Sequence, residues 1–183
     1  MALSWQQLTA KYGCPQRLDG STATGDFVML GYGKLGGIEL GYSSDLDLVF
    51  VHDADSNADT NGTKAITGGE FYARLAQKII SLLTTATAAG QLYEVDMRLR
   101  PSGNAGALVS SVKAFSDYQQ QQAWTWEHQA LVRARVVAGD SQLAERFAAI
   151  RHQVLAKTRD LMLLRQEVID MRQKMREHLS SQA

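Results

Sequence analysis

A glycine-rich stretch closed by two spaced aspartates constrains this chain more than any other segment: Gly31-Tyr32-Gly33-Lys34-Leu35-Gly36-Gly37, then Gly41-Tyr42-Ser43-Ser44-Asp45-Leu46-Asp47. The apolar run Phe27 to Leu30 precedes it and reads as a buried strand; Leu46 to Val51 follows and reads as a second. Five glycines between Gly31 and Ser44 leave room for only a short helix. The stretch begins as G-x-G-x-x-G, and Asp53 lies about 20 residues on, which matches the dinucleotide-binding fingerprint as a pattern. That fold needs a full crossover helix, which Gly36, Gly37 and Gly41 deny. No Gly-Lys-Ser/Thr closes the pattern, so a Walker-type phosphate loop is excluded.

Residues two apart in a strand point to one face, so Asp45 and Asp47 project side by side while Leu46 and Leu48 enter the core. Two carboxylates so close repel unless a positive charge lies between them, and a divalent cation with oxygen ligands is the economical answer. Backbone amides and the hydroxyls of Ser43 and Ser44 can receive phosphate oxygens, and the glycines let a phosphate approach the backbone. The competing reading makes both aspartates solvated strand-entry residues. Asp96, in Tyr93-Glu94-Val95-Asp96-Met97-Arg98-Leu99-Arg100, is the candidate third carboxylate, either a ligand or the base for an acceptor hydroxyl. Arg98 and Arg100 on the same face would neutralise phosphate charge, or simply pair with Asp96.

Around this centre, residues 3–12 suggest a short helix and 13–26 and 53–69 loops. Thr67 to Glu70 has capping-box spacing before Phe71, Leu75, Ile79, Leu82, Leu83 and Ala86 on one helical face, with Gly90 at the helix end. Leu92 to Leu99 alternates as a third strand, Pro101-Ser102-Gly103 is a turn, and Ala107 to Val109 suggests a fourth strand. Beyond residue 110 the pattern is helical, with Asp140 as N-cap of a helix over roughly 141–157. The expectation is an α/β core over 1–138 and a helical extension over 139–183.

Zero net charge argues against bulk nucleic-acid binding. No apolar run approaches the roughly 18 residues of a membrane span, the first dozen residues lack the pattern of a signal peptide, and Cys14 is the only cysteine, which fits a reducing cytoplasm.

The block Gly31 to Phe50 resembles the signature of glutamine synthetase adenylyltransferases. Val95 to Pro101, Trp126-Glu127-His128 and Val132-Arg133-Ala134-Arg135 look like downstream blocks of the same family. The resemblance covers roughly residues 27–180 and implies a polymerase-β-like nucleotidyltransferase core, a small mixed sheet flanked by helices. It implies Asp45, Asp47 and Asp96 as catalytic, metal-holding acids, with Mg²⁺ or Mn²⁺. Gly33, Lys34, Gly36, Gly37, Ser43, Ser44, Arg98 and Arg100 become the nucleotide-binding set. The implied reaction moves AMP from ATP to a tyrosine of glutamine synthetase with release of pyrophosphate. The family is bifunctional, with two related catalytic halves, and the motif wording is closer to the adenylylating half; phosphorolytic removal of AMP is the alternative, and a non-catalytic nucleotide sensor a further one. A PII-type nitrogen-signalling protein is the implied partner of the full-length enzyme.

Lys34 reads either as a phosphate contact or as a solvated loop lysine. Trp124, Trp126 and Tyr118, at helical spacing, read as core rather than as an adenine platform. Glu127, Arg133 and Arg135 read as surface ion pairs unless the resemblance places them near the site. His52 and His128 carry no metal-site spacing. Residues 159–177, with Leu161, Leu164, Val168, Met171 and Met175, read as an amphipathic helix.

Overall fold

The strand Leu46–His52 is buried almost throughout, on both faces. Seven such residues cannot lie at a surface, so the chain covers them twice. The computed structural model describes residues 1–41, 44–88, 90–91 and 93–180. In order its elements are α1 (Ala2–Tyr12), β1 (Phe27–Gly31), α2 (Gly33–Gly36), β2 (Leu46–His52), α3 (Gly68–Thr84), β3 (Ala86–Thr87), β4 (Gly90–Gln91), β5 (Val95–Asp96), β6 (Val109–Ser111), α4 (Val112–Gln121), α5 (Thr125–Val132), β7 (Arg135–Gly139), α6 (Ser141–Leu155) and α7 (Leu161–Ser180). The main sheet runs β5-β2-β1-β7, and β6 joins β2 further along the edge that β5 occupies. β1 pairs antiparallel with β2, from Phe27 opposite His52 to Gly31 opposite Leu48. β5 and β6 pair parallel with β2. An antiparallel β1–β2 pair has no crossover, which rules out the dinucleotide-binding fold.

The two faces of β2 supply two cores. Leu46, Leu48 and Phe50 pack with α1 and with Phe71, Tyr72 and Leu75 of α3. Val49 and Val51 pack with Val28 and Leu30 of β1, Phe115 of α4, Leu131 of α5, and Leu143, Phe147 and Val154 of α6. Burying each of these large side chains is worth about 1.5–3 kcal/mol, so β2 is where the fold gains most per residue. Asp47 continues the Val49–Val51 face beyond that core, as the two-residue period requires.

The caps follow the sequence closely. Thr67 accepts a hydrogen bond from the Glu70 amide at 3.2 Å, and Asp140 accepts one from the Leu143 amide at 2.8 Å; each is worth about 1 kcal/mol. The carboxylate of Glu70 bonds Arg74 instead of reaching back, so only half a capping box is present. α3 stops at Thr84, earlier than Gly90: Leu82 is exposed, and Ala86 and Gly90 lie in the β3–β4 hairpin. The third strand shrinks to Val95–Asp96, because Arg98 and Leu99 already belong to a turn; Leu92 lies outside the described residues. The helical reading after residue 110 is interrupted by β7, which pairs antiparallel with β1 through a bulge between Met29 and Leu30. Along α7, Leu164, Val168 and Met171 are half-buried on one face, while Leu161 is exposed; the side chain of Met175 lies outside the described set. No helix among the described residues is long and apolar enough to cross a membrane.

His52 ends β2 in the core, stacked on Tyr72 at 4.5 Å between ring centroids, with its Nδ1 accepting from the Ala54 amide. Burial pulls its pKa from 6.5 to about 4. The unfolded chain therefore takes up this proton before the folded one does, and stability is lost as pH falls from about 6.5 towards 4. The expected loss is about 3 kcal/mol. Urea unfolding at pH 7 and pH 4.5 measures it, and His52→Asn should flatten the difference; an equally steep loss in the variant would assign the effect elsewhere.

Candidate active site

The glycine turn is built so that one carboxylate can lie against it. The Tyr32 amide donates to the Asp47 carbonyl at 2.9 Å, extending the antiparallel pairing past the end of β1. Gly33 then adopts φ +50, and a Cβ there would lie 2.3 Å from Oδ2 of Asp47. Only glycine meets both conditions. At the other end of α2, Gly36 is pressed against backbone: a Cβ would lie 2.0 Å from the Arg133 carbonyl oxygen and 2.6 Å from that of Gly31. Arg135 donates from Nε to the Gly36 carbonyl at 3.0 Å and from Nη2 to the Leu35 carbonyl at 3.1 Å. Arg133 pairs with Glu39 at 3.0 Å. Arg135 thus braces the turn, a role the sequence did not disclose, while Arg133 makes the surface ion pair that the sequence suggested. Their nearness to Gly31 comes from the β1–β7 pairing, which joins residues about a hundred apart in sequence.

Asp47 and Asp96 are register partners on the parallel strands β2 and β5. Burial first, then the charges of Asp96 and Asp45, push the Asp47 carboxyl above its ordinary pKa, against the smaller pull of Arg98 and Lys34. Asp45 lies just before β2 and is exposed. Asp96 is held below its ordinary value, chiefly by the Arg98 guanidinium. Arg98 meets Asp96 three times: its backbone amide donates to Oδ1 at 2.8 Å, and Nε and Nη2 reach Oδ2 at 2.8 and 2.5 Å. The sequence left open whether this arginine pairs with Asp96 or faces phosphate; the pairing is what the structure holds. An open cleft of ≈ 450 Å³ is lined by Asp45, Glu94, Asp96, Arg98 and Asn104, among others.

Of the remaining candidates, Lys34 donates from Nζ to the Ser44 hydroxyl at 3.4 Å, and Ser44 is buried. Ser43 lies outside the described residues. Gly37 has the Gly33 carbonyl oxygen 3.3 Å from where a Cβ would be. Arg100 folds back to donate to the Met97 carbonyl at 2.8 Å. The structure therefore gathers Gly33, Asp45, Asp47, Asp96 and Arg98, sets Lys34 beside Ser44, and ties Arg100 to its own turn.

Among the described residues no three carboxylate, imidazole or thiol groups stand close enough to share one ion as they are placed; both oxygens of Asp96 are engaged by Arg98. The donor set nevertheless suits a hard divalent cation. It is all oxygen, and burial, followed by the charges of Asp96 and Asp45, raises the pKa of Asp47.

Two readings are corrected. Trp124 and Trp126 are 69% and 41% exposed rather than core, because α5 buries Leu131 and Glu127 instead. Glu127 is buried rather than a surface ion pair, accepting from the Tyr118 hydroxyl and the Trp124 amide, each at 2.8 Å. A larger groove of ≈ 850 Å³ lies between α5 and α7, lined by these tryptophans, Val168 and Met171; none of the three aspartates reaches it.

The bracing yields a prediction. Arg135→Gln should lower stability by about 1 kcal/mol and loosen the turn, whereas Arg133→Gln removes a half-exposed ion pair and should cost nearly nothing. Chemical denaturation of both variants measures this; equal losses would contradict the assignment.

A mixed sheet flanked by helices, with carboxylates meeting across two strands beside a glycine turn, defines an α/β protein with an acidic cleft at one sheet edge. The family model for glutamate-ammonia ligase adenylyltransferase matches residues 1–150, and the chain belongs to that family. Over all 183 residues it is 57% identical to the bifunctional glutamine synthetase adenylyltransferase/adenylyl-removing enzyme of Pseudomonas putida and to that of Pseudomonas aeruginosa. The protein of the same name from Pseudomonas syringae pv. tomato is 55% identical over 181 residues. The chain spans 19% of the length of the first two and 18% of the third. A solved toxin-antitoxin structure with AMP-PNP overlays 97% of each chain at 15% identity and a TM-score of 0.33, too loose a match to carry topology.

Proposed function

We propose that this chain is an adenylyl-transferring core that moves AMP from ATP to a tyrosine of glutamine synthetase, releasing pyrophosphate. The observation that carries the reading is the register of Asp47 with Asp96 beside Gly33, which concentrates negative charge against the glycine turn. Asp45, Asp47 and Asp96 would hold Mg²⁺ or Mn²⁺, which when bound supplies the positive charge that a triphosphate needs. Lys34, Ser44 and the first amides of α2 would receive phosphate oxygens, since the amides of Tyr32, Gly36 and Gly37 already donate within the turn. Asp96 would complete the metal set or take the acceptor hydroxyl's proton. Positioning and charge stabilisation account for most of the rate. The wording of the glycine block favours the adenylylating direction. In the longer protein a PII-type signalling protein is the expected partner and the cytoplasm the expected compartment.

The test is a pair of incubations. With labelled ATP and unmodified glutamine synthetase, label should pass to protein, and Asp45→Asn with Asp47→Asn should abolish it. With AMP-modified glutamine synthetase and orthophosphate, ADP release would assign the opposite direction. Nucleotide binding with neither reaction would make the chain a sensor.

A further inference from the structure

The pair Arg98–Asp96 has an odd construction for a structural ion pair. The guanidinium side chain is 75% exposed while its carboxylate partner is 17% exposed, so the arginine lies over the acid from the solvent side. The two oxygens of Asp96 are also held differently. Oδ1 accepts the Arg98 backbone amide, an i to i+2 bond that fixes the carboxylate whatever side chain residue 98 carries. Among the described residues, Oδ2 is held by the side chain alone, through Nε and Nη2. The same guanidinium sits within the field of Asp47 and Asp45. Without it, Lys34 acts on Asp47 and Arg100 on Asp96 as cations near the three carboxylates.

We propose that Arg98 is an exchangeable internal cation: it neutralises Asp96 until a divalent ion takes Oδ2, and the released guanidinium then binds the phosphates of the incoming nucleotide. The inference rests on the metal-holding role given above to the three aspartates. Nε and Nη2 together take up both lone pairs of Oδ2, so an ion that binds this oxygen must displace at least one of them and loosens the hold of Arg98. An exposed ion pair is weak enough for that exchange, and the fixed Oδ1 keeps the carboxylate aimed while it happens. A planar fork that has lost a carboxylate finds its next best partner in a phosphate, and the cleft lined by Asp45, Asp96 and Arg98 is where one would arrive. Metal and nucleotide would then help each other to bind beyond their direct attraction, because each takes one of the two partners that otherwise satisfy one another.

Arg98→Gln separates the two roles, since it keeps the backbone bond to Oδ1. Mn²⁺ binding to the protein alone, read from the electron paramagnetic resonance of free Mn²⁺, should tighten about fivefold in Arg98→Gln, the fold-change of a surface ion pair removed. Binding of a non-hydrolysable ATP analogue with Mn²⁺ should weaken in the same variant, and Arg98→Lys should lie between. In the unsubstituted protein the Arg98 Nε–H resonance should shift on adding Mg²⁺ alone. Mn²⁺ affinity in Arg98→Gln that is unchanged or weaker overturns the counter-ion role; analogue affinity that is undiminished overturns the phosphate role. If the unsubstituted protein binds no Mn²⁺, the metal-holding assignment itself fails, and this inference with it.

Discussion

Asp47→Asn is expected to abolish adenylyl transfer and, at the same time, to make the protein more stable. The carboxyl of Asp47 is half-buried against Gly33 and faces two like charges, and each of these raises its pKa. For an acid raised in the folded state, the folded chain binds the proton more readily than the unfolded one. Its contribution is favourable below the ordinary carboxyl range and is lost as pH rises through the raised value. At pH 7 the ionised group is therefore a liability within the fold. Asparagine keeps the shape and removes the charge. The gain should be read as a rise in Tm of roughly 2–4 °C, the size of a single favourable substitution in a chain this long. The gain should vanish near pH 3, where the aspartate is protonated in both states. Transfer should fall about 10³-fold or more, the scale on which preorganised charge acts. Thermal melts at the two pH values and a labelled-AMP assay read both effects. A variant that is less stable at pH 7 would show that Asp47 is already compensated within the protein.

Gly33→Ala should also damage activity, about tenfold less severely and for a different reason. A methyl group at φ +50 costs about 1–2 kcal/mol of backbone strain. It would also lie 2.3 Å from Oδ2 of Asp47, so that side chain must move. A misplacement of about 1 Å near the reacting atoms costs on the order of 10²-fold in rate. Gly20→Ala is the matched control: Gly20 has φ +80, and no atom of the described residues lies within 4 Å of the added carbon. It should pay the strain and keep the activity. Equal activity loss in both variants would mean that strain, not displacement of Asp47, is responsible.

The features legible in the sequence were the local ones. Phe27–Gly31 and Leu46–His52 announced themselves as apolar runs, and Thr67 and Asp140 as caps, because hydrogen bonds within four residues depend only on neighbours. The site was half legible. The two-residue spacing placed Asp47 on the face that leaves the core, and Arg98 beside Asp96 was visible as a choice between two roles. β7 was not legible: Arg135–Gly139 follows a helix, is only partly buried, and gains its place from pairing with β1. Its one local cue is the β-branched pair Val136–Val137 before Gly139. The bracing of α2 by Arg135 went unseen for the same reason, since it exists only once β7 is set beside β1. Trp124 and Trp126 misled because helical spacing says which residues share a face, not whether another element covers it.

The central claim is that Asp45, Asp47 and Asp96 form one cation-holding site beside the glycine turn. Crystals grown with Mn²⁺ and a non-hydrolysable ATP analogue test it directly through the anomalous signal of manganese. The account predicts a peak with carboxylate oxygens of all three aspartates within about 2–2.6 Å, bridged to the phosphates. A peak that any of the three fails to reach, with Asp96 still clasped by Arg98, would contradict it.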